Sequence, residues 1–386
     1  MRIEKNYVPI LKWKAAEQTA LEKVADKHKD HIVPIAEVVL PSVSQYTNSK
    51  TNTKKTDDEI LDEMVKKMTE ERVFNIPKEI KKVWGKRDLY LDVSWLHNRD
   101  KTVDLKCFTF NTILSECCKT GLRIIPVVNL ADNQKIFELF AKLVSGNQVC
   151  EVCIRVTTFS LKDVQGLNQE LKSVLDTLGL KYDKAHLLVD LKYIDEVEQC
   201  NVVYSAAQTI DRLDEFKTFI FSSGAFPVDM STCSLDDPTY ITRIDWIAWQ
   251  QNVLQNDNDI RKPIFSDYSI RHPLYNDSLQ FFESTSTLKY SLECSWMIMK
   301  GKKREFGYYL ANASLLVLQP EFNQATFGER EKFSYGDNYI VEKAIHWEKY
   351  RRDKSIKGTG RTQDWIAAGI SHHIALVMRQ LSNLVD

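Results

Sequence analysis

The chain has 386 residues, 52 Lys and Arg against 53 Asp and Glu, a formal net charge of −1 and 43% hydrophobic residues. That balance excludes a global electrostatic footprint for nucleic acid or a membrane surface, while leaving enough apolar content for a sizeable core. No apolar run reaches the roughly 18–20 residues of a membrane span, the charged start Met1-Arg2-Ile3-Glu4-Lys5 lacks a signal peptide's apolar stretch, and eight cysteines are too sparse for a disulfide scaffold. A cytoplasmic protein with reduced thiols and no membrane partner is expected.

Strand-like runs recur in chain order at Tyr7–Lys14, His31–Leu40, Leu89–Trp95, Arg123–Leu130, Glu151–Thr157, His186–Leu191, Lys217–Ser223 and Pro263–Tyr268. Amphipathic helical stretches lie between most of them: Ala16–Lys27, Asp57–Lys67, Leu105–Lys119, Asp132–Val144, Leu167–Leu178, Asn201–Leu213 and Asp237–Leu254. Apolar strands alternating with helices predict parallel β/α units, and eight of them match the length of a closed barrel. The competing doubly wound sheet usually carries a glycine-rich loop after its first strand, whereas this chain has Lys14-Ala15-Ala16-Glu17. The fold class read from the sequence is therefore α/β, a (β/α)8 TIM-like barrel over residues 1–275, with an α+β extension at 276–386.

The polar segment Pro41–Thr56 reads as a flexible insertion after the second strand, on the face where barrel sites lie. In the extension, Leu288–Tyr290, Trp296–Met299, Gly307–Tyr309 and Leu315–Leu318 look like short strands, and Gln363–Leu384 like a final helix packed on the barrel.

Barrel chemistry gathers at the C-terminal ends of the strands. Each run carries a hydrophilic residue there: Lys12 and Lys14, Glu37, Asp92 and Ser94, Asn129, Arg155, Asp190, Ser222 and Ser223, and Asp267. Charges in a dry layer cost several kcal/mol unless paired, so the set suggests a shared polar mouth. Three readings stand. In one, Glu37, Asp92, Asp190 and Asp267 act as catalytic bases, while Lys12, Lys14, Asn129, Arg155, Ser223 and the nearby His272 hold a phosphate or other anion. In another, two or three carboxylates bind a divalent metal, which is disfavoured because no His falls on a strand end among them. In the third, the charges form a self-compensating network that closes the barrel. No cofactor is identified.

Other groups receive bland readings beside sharper ones. Phe221–Pro227 is a small-residue loop able to offer N–H groups to a phosphate, or simply a glycine turn. Trp246 and Trp249 read as helix core rather than a stacking platform. Cys150 and Cys153, and the helical pair Cys117 and Cys118, read as buried and inert, since no second C-x-x-C completes a zinc site. Basic runs at Lys300–Arg304 and Lys349–Arg352, with tryptophans nearby, suggest nucleic acid or else solvated turns. His372-His373 lies in the last helix, where one of the two is expected to face the core.

Tyr7-Val8-Pro9-Ile10-Leu11-Lys12-Trp13-Lys14-Ala15-Ala16-Glu17, followed by Val33-Pro34-Ile35-Ala36-Glu37-Val38, resembles the opening of the beta protein family of bacteria and phages. The likeness continues through Leu91–Trp95 and Phe265–Tyr268 to Trp365 and Ser371–Ile374, with Ala16 standing where a glycine is expected. The resemblance implies a prokaryotic or phage origin and an antiviral-defence setting, and it transfers no catalytic residues. The resulting expectation is a defence-related barrel that recognises or cleaves a phosphate-bearing ligand, nucleic acid or nucleotide, at the barrel mouth. The alternative is a non-catalytic sensor or scaffold that binds a partner protein. Whether the chain is an enzyme stays open at this point.

Overall fold

The computed structural model describes residues 6–43, 55–235, 237–256, 258–274 and 285–385. Eight parallel strands form a closed barrel: β1 (Tyr7–Lys12), β2 (Ile35–Glu37), β3 (Leu89–Asp92), β4 (Ile124–Asn129), β5 (Val152–Thr157), β6 (Ala185–Tyr193), β7 (Thr218–Gly224) and β9 (Ile264–Asp267), in that order. All eight predicted runs are thus barrel strands, several trimmed at their ends. The strands are short and almost wholly buried, as expected where a parallel sheet is covered by helices.

The eighth strand by chain order, β8 (Thr239–Thr242), lies outside the barrel. It pairs antiparallel with β11 (Ser295–Met299), which in turn pairs with β10 (Leu288–Ser291). The helix expected over Asp237–Leu254 therefore begins later, as α9 (Ile244–Gln255). Two further expectations are corrected. Gly307–Tyr309 and Leu315–Leu318 are not strands but lie in and just beyond one helix, α10 (Gly307–Leu316). Its buried Leu310, Ala313 and Leu316 recur at helical spacing, a period hidden when the two apolar ends are read as separate short runs.

The first helix is split into α1 (Ala15–Glu22) and α2 (Asp26–Lys29). After the insertion, whose residues 44–54 lie outside the described part, Thr56 caps α3 (Asp57–Lys67) reciprocally with Glu59. A π-helical turn at Met68–Arg72 then leads into α4 (Val73–Val83). Next come α5 (Thr102–Thr120), α6 (Gln134–Ser145), α7 (Val164–Leu178) and α8 (Val197–Ala207). Past α10 the chain continues through α11 (Pro320–Ala325), α12 (Tyr335–Tyr350) and the 24-residue α13 (Thr362–Val385). Among the described residues, no helix is long and apolar enough to cross a membrane.

By its internal contacts the chain divides into two compact units. One comprises Met1–Val33, Asp190–Gln208 and Ile220–Asp386; the other comprises Pro34–Val189 and Thr209–Phe219. The first holds a core of Leu288, Tyr290, Met297, Leu310, Phe322 and Ile340, on which Tyr339 and Trp347 pack.

Candidate functional site

Of the predicted strand-end residues, Glu37, Asp92, Ser94, Asn129 and Arg155 belong to the second unit, and Lys12, Lys14, Asp190, Ser222, Ser223 and Asp267 to the first. In the second unit, Glu37 and Asp92 are neighbours in the β2–β3 register, and Asn129 and Arg155 are neighbours in the β4–β5 register. The Arg155 guanidinium donates through Nη1 to Glu37 Oε1 at 2.9 Å and also to Asp92 Oδ2. All three side chains are 2% exposed or less. The other Asp92 oxygen accepts the Ser94 N–H at 2.7 Å and the Ser94 hydroxyl. Asn129 turns away to the β4–α6 loop, where its backbone N–H donates to Asp132 Oδ2 at 2.9 Å.

Two residues before Asp92 on β3, the Tyr90 hydroxyl lies 2.9 Å from His186 Nδ1, and Thr218 Oγ1 lies 2.8 Å from the same nitrogen. His186 Nε2 faces Glu151 Oε2 at 3.3 Å. Burial first, outweighing the Glu151 contact, holds His186 below its ordinary pKa. The Glu151 carboxylate can only accept, so Nε2 carries the proton in this contact. The His186 contact, with Lys217, draws Glu151 down to about 2.

In the first unit, Asp190 accepts from the Tyr268 hydroxyl at 2.9 and 2.8 Å, from the Lys192 backbone N–H at 3.0 Å, and pairs with Lys192 Nζ at 3.1 Å. Lys192 adopts a left-handed backbone (φ +60°) that folds its own N–H back onto the carboxylate. Lys12 is buried and Lys14 half-buried at the end of β1, with the Lys14 N–H donating to Lys12 O. Ser223 is buried at the end of β7. The Phe221–Pro227 segment closes against the loop after β9: a Cβ on Gly224 would stand 2.7 Å from Pro273 Cγ and 3.0 Å from Tyr268 Cδ2. His272 in that loop accepts the Leu274 N–H at 3.1 Å and packs its ring on Tyr193 at 4.9 Å.

Asp267 belongs to a different set. In register with β1 and β7, Ser266 shares a face with Val8 and Ser222, while Phe265 and Asp267 take the opposite one. Phe265 packs on Trp246 and Trp249 of α9, so this is the helix-facing side. There Asp267 accepts from the Tyr7 hydroxyl, from Ser269 N–H at 2.9 Å, and from His373 Nε2 of α13 at 2.8 Å. Ser291 Oγ lies 2.8 Å from His373 Nδ1. Burial holds His373 below its usual pKa, and the contacts assign it an Nε2–H donated to Asp267. Burial alone raises Asp267, but His373, Tyr7 and Arg243 outweigh it and leave Asp267 below its ordinary value. Asp245, also fully buried, is pushed up to about 7 by burial and by the Asp267 charge. Arg243 donates to Leu292 O at 3.0 Å and Gln380 Oε1 at 3.0 Å between Trp246 and Trp296.

Both histidines of the pair are buried, not one: His372 binds Asp337 Oδ2 at 3.0 Å and Ser291 O at 2.8 Å. Cys117 and Cys153 are buried, but Cys118 and Cys150 are exposed, which corrects the expectation for those two. Trp246 and Trp249 are core and stack on each other. Among the described residues, no three His, Cys, Asp or Glu side chains converge as a metal site. Sequence reasoning gave His373 only a core role and gave Arg243, Asp245 and Tyr268 no part in a site. The available signal was polar residues inside apolar helical or strand ends, which must find partners once buried.

A family model described as "Beta protein" matches residues 7–379. No curated protein matches the chain.

Proposed function

The chain belongs to the beta protein family, and from that premise we propose that it works by recognition, as a non-catalytic sensor or scaffold. The observation that supports this reading is the state of the four candidate carboxylates. Glu37, Asp92, Asp190 and Asp267 are each 1% exposed or less, and each is held by a cation or several hydrogen-bond donors of the same unit. A general base needs a lone pair within reach of substrate, and these are occupied and dry. Removing such partners leaves an uncompensated buried charge costing about 3–5 kcal/mol, so the pairs serve the barrel's cohesion. The defence setting implied by the family resemblance suits a protein that detects and relays.

The competing reading, cleavage of a nucleotide or nucleic acid at the strand ends, requires one of these carboxylates to be released. The test is turnover of nucleotides and oligonucleotides, with and without Mg²⁺, by the full chain and by a Lys14→Ala, Asp190→Ala double variant. Recognition without chemistry predicts no product from either protein and a lowered melting temperature for the variant. Turnover by the full chain that vanishes in a folded double variant would overturn the proposal.

A further inference from the structure

Two adjoining cavities open on the helical side of the first unit, bounded by α1 and α2, by the 329–335 segment and by α13. Their volumes are about 130 and 270 Å³, and they share His28, Phe333 and Ala375. Lys23 and Lys332 line the smaller; Lys27, Arg379 and Glu329 line the larger. Arg379 pairs with Glu329, but among the described residues no ion pair involves Lys23, Lys27 or Lys332. Three lysines thus line the adjoining cavities, and the one carboxylate among the lining residues, Glu329, is taken by Arg379.

We propose that this concavity binds a small polyanion of the phosphate class, either free or as the phosphate end of a nucleotide. Each cavity is smaller than the roughly 300 Å³ at which pockets for drug-sized ligands begin, which suits one or two phosphate groups. Hydroxyls stand beside the amines: Ser371, 3% exposed, and Ser334 line the smaller cavity. Phe333 supplies an apolar wall, fixed by ring contacts with Phe327 and His372. The field in the cavity is positive as felt by its own titratable group. Burial first, then Lys27, Arg379 and His31, hold His28 below its ordinary pKa, with Glu329 alone among the named charges acting the other way. An anion seated against His28 reverses that field.

The inference deepens the sensor reading by naming a ligand class, and it rests on residues remote in sequence from the strand ends. The test is calorimetric titration of the full chain with inorganic phosphate, pyrophosphate and ATP, in parallel with a Lys27→Glu, Lys332→Glu variant. Both lysines are exposed, so the variant should fold, which its melting curve checks. Pyrophosphate or ATP is expected to bind the native chain, at least about tenfold more weakly in the variant. Binding should also raise the His28 pKa followed by NMR. Pyrophosphate matching ATP identifies the phosphates alone as the ligand, and ATP exceeding it identifies a nucleotide. No binding of any of the three, or equal affinity in both proteins, overturns the inference while leaving the sensor proposal standing. Turnover abolished by Lys14→Ala, Asp190→Ala but kept in Lys27→Glu, Lys332→Glu would overturn the sensor proposal instead.

Discussion

Replacing Asp245 with Asn should make the protein markedly more stable above neutral pH. Asp245 is fully buried near Asp267, and its carboxyl is pushed from 3.8 to about 7. Between those values the folded chain holds a proton that the unfolded chain has released. A group raised in this way contributes stability that is complete below about pH 4 and lost as pH climbs to 7. Roughly 3 units at 1.36 kcal/mol each make that loss about 4 kcal/mol. Asn carries no charge at any pH and keeps an oxygen to accept the Trp246 N–H, now bound at 3.0 Å. The stability of Asp245→Asn relative to the native chain should therefore rise by about 4 kcal/mol between pH 4 and 8. Urea unfolding of both proteins across that range reads the difference directly. Parallel stability curves for the two proteins would refute the reasoning, because they would mean that Asp245 ionises equally easily in both states.

Arg155→Met should lower stability by about 3–5 kcal/mol, since it strands Glu37 and Asp92 without their shared cation. Denaturant midpoints check this, and adding Glu37→Gln and Asp92→Asn should recover part of the loss; an unchanged midpoint for Arg155→Met would contradict the pairing. Gly224→Ala places a methyl 2.7 Å from Pro273 Cγ and should cost about 1–3 kcal/mol, seen as a lower melting temperature. A variant as stable as the native chain would show that the loop after β9 does not press on β7.

The barrel was legible because each strand is a contiguous apolar run and each helix a local periodicity, both properties of neighbouring residues. The polar strand ends were legible for the same reason. Their partners were not. Arg155 lies 118 residues from Glu37 and 63 from Asp92, and His373 lies 106 from Asp267; nothing local encodes such pairings. Nor could the run Phe265-Ser266-Asp267-Tyr268 show which of its side chains point inward. A shift of one residue exchanges the two faces of a strand, and only the register with β1 and β7 turns Asp267 toward α13 and the helical layer. The two ends of α10 were misread because short apolar runs fit either period, and helical packing against α12 settles the choice. The sequence by itself determined that eight strands close a barrel and that each ends in a polar group. Tertiary structure alone decided which partners the buried charges among them take, because burial makes every unpaired charge costly and leaves pairing as the stable arrangement.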